Sequence, residues 1–423
     1  MTCISRDRTV AVEKLLSVIL DQSLTDLEHT LPGSLQVLRL AAAIPPDTIP
    51  WPWREELTKR TNPEVFEPTP QFLKGRWTRI RRTLEGRDLI TEGRHPGATG
   101  RMHRLVADHI KTQNPQETDL VNDFIIQRAQ KLGTDFTQAP ELWEIDSIAD
   151  ALPGILTCKP ELLGHIADFV RLVALRYVTD TRITAMLQNL TTHLSGTSTR
   201  TSFLAHTLLG DALQNTDPAQ ARESYQRSLA ITRYLAEIWP DDLQPRRDFT
   251  VALINVAGML KHSDPGQALE LYEESLGIGR DLAERLSGDF QARRDLTVAL
   301  INVAGMLKHS DPGQALKLYE ESLRISRELA AQLPGNLQAL SDRGVSAARL
   351  AQLLPTEDPE RIPLWREAAI SLRDALAIQP ENKELGRMSY YVALYYADCH
   401  PDDRDEWLAY AAGLAECFGF GKE

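Results

Sequence analysis

The chain has 423 residues, of which 42% are hydrophobic and 25% charged, and it carries a net charge of -12. That balance is ordinary for folded protein in water and excludes wholesale disorder. The acidity disfavours general nucleic-acid binding, which draws most of its affinity from phosphate neutralisation.

No apolar run approaches the ~20 residues of a membrane span. The opening residues include Arg6, Asp7, Arg8, Glu13 and Lys14, where a secretory signal would be apolar. Cys3, Cys158, Cys399 and Cys417 stand far apart, without a C-x-x-C pair for zinc or redox chemistry. A reduced, cytoplasmic protein without a membrane partner is expected.

From the N-terminus, the spacing of Val12, Leu15, Leu16 and Ile19 predicts a helix over about 10–29. A second is expected over 34–43, after which "PPDTIPWPW" breaks the chain with proline. A third, over 71–85, sets Phe72, Trp77, Ile80 and Leu84 inward and turns Lys74, Arg76, Arg79, Arg81 and Arg82 largely outward. "DLITEGRHPGATGRMHRL" then reads as two short strands around a Gly/Pro-rich tip, followed by a helix over 105–112. Helices followed by a hairpin predict a winged-helix domain over 31–114, behind an N-terminal helix over 1–30. Its basic third helix accounts for a local excess of ten Lys/Arg over four Asp/Glu between Lys74 and Lys111.

"LQVLRLAAAIPPDTIPW" and "MHRLVADHI" resemble the winged-helix segment of bacterial STAND-type (NB-ARC-like) signalling ATPases. In that family the segment follows a nucleotide-binding core and precedes a repeat arm. Met102-His103 matches the family's Met-His-Asp motif, with Arg104 where the family has Asp. The resemblance implies contact between His103 and the β-phosphate of ADP; the residues alone also allow a strand histidine satisfied inside the domain. The phosphate-cradling G-x-x-x-x-G-K-[ST] loop that would hold ATP does not occur; the only Gly-Lys is Gly421-Lys422. A winged helix and sensing arm without the ATPase engine are therefore expected. Residues 115–199 read as a helical linker or a degenerate repeat, with helical packing over 163–191.

The remainder, 200–423, is repetitive. The nineteen residues VALINVAGMLKHSDPGQAL occur at 251–269 and again at 298–316, a shift of 47. Asp-Pro recurs at that period at Asp217, Asp264, Asp311 and Asp358, and Tyr225, Tyr272, Tyr319 and Arg366 fall in one column. Leu229, Leu276, Leu323 and Ile370 form another. A fixed period over four units predicts an α-solenoid. Within a unit, Val251, Ile254, Ala257, Gly258 and Leu260 suggest the buried stripe of a first helix. Asp264-Pro265 caps a second helix bearing Ala268, Leu271, Tyr272, Ser275, Leu276 and Ile278. A last helical pair around 390–397 and 407–415 would close the stack.

This pattern resembles the tetratricopeptide repeat, with Val256-Ala257 and Leu260 at the first helix's small and large positions, and Ala268, Tyr272 and Ser275 following on the second. The period exceeds the family's usual ~34 residues. The resemblance implies a first helix that lines a groove. There the columns Asn255, Asn302, Arg349 and His262, His309 are candidate partner-binding residues. The Asn-Asn-Arg column is similar to part of the carboxylate clamp by which some such domains hold a peptide C-terminus, since asparagine amides and an arginine fork both donate to carboxylates. Where the clamp has lysines this chain has Val251, Val298 and Val345.

No H-E-x-x-H helix, G-x-S-x-G elbow or clustered Cys/His set occurs, and Cys399-His400 beside Asp402-Asp403 is a string of neighbours rather than a dyad. The expectation is a mainly α, non-enzymatic scaffold or sensor without a cofactor or metal. It would bind a protein partner and couple to a separate ATPase or effector, as the resemblance to signalling and defence proteins implies. The alternative is a transcription regulator that binds DNA through Lys74, Arg76, Arg79, Arg81 and Arg82.

Overall fold

The computed structural model describes residues 3–73, 75–134, 141–176, 181–380 and 382–420. Its contacts divide the chain into two compact units, one ending at His193 and the other running from Leu194 onward.

The first unit begins with α1 (Cys3–Thr30) and α2 (Ser34–Ala43), then β1 (Ile49–Pro50), α3 (Trp51–Thr61) and α4 (Trp77–Gly86). Strands β2 (Thr91–Glu92) and β3 (Thr99–Arg101) follow, then α5 (Arg104–Gln113), α6 (Pro115–Thr134), α7 (Leu142–Cys158), α8 (Leu163–Arg176) and α9 (Thr181–His193). The sheet is antiparallel with β3 in the middle: Gly100 pairs with Ile49 on one side and Glu92 on the other. No side chain fits at Gly100, where a Cβ would lie 2.5 Å from Ile90 Cγ2. Val37, Leu38, Trp53, Leu57, Ile80, Leu84 and Met102 form the buried centre.

One expectation for this region holds in part and one is corrected. "PPDTIPWPW" does end α2, with residues 44–48 outside any helix, but its last three residues open α3, where Pro52 lies in the first turn and a missing N–H costs nothing. The basic helix starts at Trp77 rather than near 71, since Gly75 (φ 75°) supports a turn there.

Charged side chains tie the hairpin to the helices that follow. His95, at the hairpin tip, meets Asp146 of α7 at 2.6 Å. Arg182 of α9 binds both Asp146 and Asp150, and Asp150 also accepts from Thr48 at 3.0 Å. Glu144 takes the Trp53 indole N–H at 3.1 Å and Arg128 at 2.6 Å.

The second unit is a run of helix pairs. They are α10 (Arg200–Leu213) with α11 (Pro218–Ile238), α12 (Leu243–Leu260) with α13 (Pro265–Arg285), and α14 (Phe290–Leu307) with α15 (Pro312–Gln332). Next come α16 (Leu337–Leu353) with α17 (Arg361–Ile378), and α18 (Lys383–Cys399) with α19 (Arg404–Phe418). Each helix packs on the next, so every pair buries its apolar stripe against its neighbours.

Capping explains the regular breaks. Asp217, Asp264 and Asp311 accept from the backbone N–H of Gln220, Gln267 and Gln314 at 3.1, 3.1 and 2.9 Å, with proline next in line. A second column of caps, not singled out from sequence, starts the first helices: Asp242, Asp289, Asn336 and Asn382.

The repeat departs from its expected register in two ways. On α12 the buried residues are Ala252, Leu253, Val256, Ala257 and Leu260, while Val251 is 39% exposed and Gly258 is exposed, so the stripe is rotated from the expected one. In the fourth pair the register slips by one residue, although the connection between its helices runs over 354–360 where the third pair has only 308–311. Ala304 and Ala351 still correspond at 47, but Tyr319 corresponds to Trp365 and Leu323 to Ala369, at 46. Arg366 therefore leaves the tyrosine column and is exposed, and Ile370 leaves the leucine column. The fourth Asp-Pro is not a helix cap either, because α17 starts only at Arg361, with Glu360 as its N-cap.

Candidate functional site

The rotation of the first helices decides which side chains they present. Val251, Asn255 and Gly258 are spaced at i, i+4 and i+7 on α12 and share one side of it. The corresponding residues are Val298, Asn302 and Gly305 on α14, Val345, Arg349 and Gln352 on α16, and Tyr391, Tyr395 and Asp398 on α18. Asn255 and Asn302 are half-buried and Arg349 is exposed. None of the three forms a hydrogen bond or ion pair among the described residues.

Beneath them lies a row of tyrosines. In the first pair the Tyr225 hydroxyl donates to Asp211 at 2.8 Å. The next two pairs carry glycine in place of Asp211, and the hydroxyls of Tyr272 and Tyr319 come up beside it. A Cβ at Gly258 would sit 3.7 Å from one, and a Cβ at Gly305 3.6 Å from the other. Burial raises the pKa of both phenols, so they stay protonated donors, and Arg349 faces Tyr319. The face thus alternates aliphatic contact with unpaired amide, hydroxyl and guanidinium donors.

Tyr391 and Tyr395, 54% and 48% exposed, extend the valine and asparagine columns, and Tyr395 stacks on Trp365 at 5.0 Å. A search at a strict period of 47 misses them; a step of 46 after Arg349 finds them. His262 and His309 occupy the turns after α12 and α14, exposed, and form no hydrogen bond or ion pair among the described residues.

His103 is not a strand histidine satisfied inside the domain. It is exposed and caps α5, Nδ1 accepting from Leu105 N–H at 3.3 Å. Its neighbours Arg101 and Arg104 both reach Asp47 at 3.1 Å. Of the basic cluster, Lys74 lies outside the described residues. Arg76 donates to the Glu64 carbonyl at 3.1 Å, Arg81 pairs with Glu85 at 3.0 Å, and Arg79 lies over Phe72. Arg79 and Arg82 are exposed. Among the described residues no three His, Cys, Asp or Glu side chains gather as a metal site, and no helix is long and apolar enough to cross a membrane.

The fold and this face define an α-helical repeat protein. No family model matches the chain, and no curated protein does. Among solved structures it is similar to yeast Tom70, at 14% identity and a TM-score of 0.35, over 96% of this chain and 74% of that one. It is also similar to the human IFIT1 dimer with m7Gppp-AAAA, at 11% identity and a TM-score of 0.29, over 71% of this chain and 73% of that one. The repeat character itself rests on the helix pairs described above.

Proposed function

We propose that the chain is a non-enzymatic scaffold that binds a protein partner along the first-helix face of its repeats, through Asn255, Asn302 and Arg349. The observation that carries this reading is the absence of partners for these three groups among the described residues. An asparagine kept for helix packing would spend its amide on a neighbouring helix, whereas these two present theirs in register beside protonated tyrosine hydroxyls. Such a row suits an extended peptide, whose carbonyls or terminal carboxylate would accept from it.

Residues 31–114 are proposed to form a winged helix that couples this arm to a separately encoded ATPase or effector, in a signalling or defence setting. The middle position of β3 in the sheet and the hairpin between β2 and β3 support the first half; the STAND resemblance supports the second. Exposed Arg79 and Arg82 favour the regulator alternative. Against it, Arg76 and Arg81 are engaged within the domain and the hairpin tip is held by Asp146.

The test is affinity capture from the native host by the full chain, with Asn255→Ala/Asn302→Ala/Arg349→Ala alongside. Loss of a specific captured protein in the triple variant supports the face as the working site. Equal capture by both would overturn it, and capture of DNA alone would favour the regulator.

A further inference from the structure

The fifth pair differs from the rest in chemistry as well as register. Four residues apart on each first helix stand two apolar residues that close the corner with the second helix: Leu209 and Leu213, then Val256 and Leu260, then Val303 and Leu307. The fourth pair keeps Leu350 and Leu354. At the end of α18 the same two positions are Tyr396 and the C-cap His400. A polar, titratable pair has replaced a column that is aliphatic everywhere else.

Tyr396 is fully buried, and its hydroxyl donates to Asp403 Oδ2 at 2.8 Å. The His400 ring stacks on it with centroids 5.4 Å apart, and His400 Nδ1 accepts from the Asp403 N–H at 3.3 Å. With Nδ1 an acceptor, the neutral imidazole carries its proton on Nε2, which is left as a donor. Beside the two rings a cleft of about 410 Å³ opens toward α17, where Ile362, Pro363, Arg366, Glu367 and Ile370 line it. The opening falls where a longer connection than in the earlier pairs leads into a helix whose N-cap makes no side-chain hydrogen bond.

The charges in the cleft are unequal. Glu367 is already held by Arg327 of α15 through both oxygens, at 3.0 and 2.6 Å. Arg366 forms no ion pair or hydrogen bond among the described residues. What remains is an uncompensated guanidinium, an imidazole N–H and three apolar walls. A guanidinium with one further donor matches a carboxylate. The second charge of a phosphate would face Glu367 and Asp403 without a counter-ion.

We infer that this cleft binds a carboxylate carried on a small apolar body, held by Arg366 and His400 with its hydrocarbon against Ile362, Pro363 and Ile370. Two sources share that chemistry, a free aliphatic acid and a chain terminus ending in an apolar residue. The site is independent of the Asn255 face.

Calorimetric titration of the full chain with hexanoate, and separately with an acetylated dipeptide ending in leucine, tests it. Saturable binding of either acid is expected, and the stronger of the two identifies the source. Hexanol, which lacks the charge, should bind about tenfold more weakly or worse. Arg366→Gln should weaken binding about tenfold or more, and His400→Leu several-fold. The latter restores the residue of the other pairs and so keeps the fold. The inference is overturned if neither acid gives a saturable heat, or if Arg366→Gln binds as well as wild type.

Discussion

Arg294 Nε donates to Asp342 Oδ2 at 2.7 Å, and one repeat earlier Arg247 Nε makes the same bond to Asp295 at the same length. Arg200 and Asp248 form a further rung at 2.8 Å. Each rung joins the first helix of one pair to the first helix of the next, past the intervening second helix, and so sets the stagger between pairs. Asp342 is the most instructive member. Burial pushes its carboxyl up, and Arg294 is the group that pulls it back down.

Removing Arg294 should therefore cost more than removing an exposed ion pair, since it leaves a carboxylate largely out of water. For Arg294→Ala we expect a loss of about 2–3 kcal/mol, and a smaller loss when Asp342→Ala is added. Urea unfolding of the four proteins of the cycle measures the coupling. The sign of the pH dependence follows from the raised pKa. The folded state of Arg294→Ala binds a proton at Asp342 more readily than the unfolded chain, so its deficit should shrink as the pH falls toward the carboxylate range.

Arg54 should behave in the opposite way. It is fully buried, and among the described residues its Nε, Nη1 and Nη2 lack hydrogen-bond partners, as does the Thr58 hydroxyl one turn on. Burial, with Arg81 nearby, pulls its pKa well below the ordinary value, so the environment works against the charge. The charge of Glu85 offsets part of this, and the Trp51 ring lies 3.1 Å from the guanidinium carbon. Arg54→Met keeps most of the volume and deletes the unpaired charge. It should stabilise the first unit by about 1–3 kcal/mol, whereas Arg54→Ala would forfeit that gain to a cavity. Unfolding followed by tryptophan fluorescence separates the two, because Trp51 and Trp53 report from beside the site.

Much of this architecture could be read from the sequence, and the misses have local causes. The repeat period and the caps at Asp217, Asp264 and Asp311 were visible because they are local patterns with a fixed spacing. The fourth cap and the tyrosine column failed at Asp358 and Arg366 because one deleted residue shifts every later position, and an extrapolated period cannot sense it. The buried stripe was misplaced because Val251 and Ile254 are as apolar as Leu253 and Val256, so composition alone does not say which side packs. The Arg–Asp ladder was missed for another reason. Its partners are 48 residues apart, and only the stacking of pairs brings them together. Asn255 and Asn302 could be named from their column, but that their amides lack partners is a tertiary fact.

His206 occupies the column that holds Leu253 and Leu300, both fully buried. Its Nδ1 has no hydrogen-bond partner among the described residues, and burial, with Arg227 adding to it, lowers its pKa below the ordinary 6.5. The unfolded chain then takes up a proton that the folded one refuses. Stability is complete well above the unfolded pKa and is lost as the pH falls through it. His206→Leu should abolish that part of the acid loss and raise the melting temperature at neutral pH, because it installs the residue the neighbouring repeats use. Thermal melts of both proteins on either side of the unfolded pKa give the comparison. A parallel acid loss in the two would show that His206 is not its source.

Tyr396 sets a matching limit on the alkaline side. Burial first, and its hydrogen bond to Asp403 second, push its phenol from 10.0 up to about 12. Between those two values the unfolded chain gives up this proton while the folded chain keeps it, so stability must fall as the pH rises through that window. Tyr272, Tyr319 and Tyr410 are raised as well and add to the fall. Tyr396→Phe removes one share of it, at the expense of a hydrogen bond to a charged acceptor. At neutral pH the variant should be less stable than wild type by about 1–2 kcal/mol, and near pH ~11 the gap should narrow. Denaturant unfolding at the two pH values measures it. A gap that stays constant would mean that Tyr396 ionises as readily in the folded chain as in the unfolded one, which a phenol enclosed against His400 and donating to Asp403 should not do.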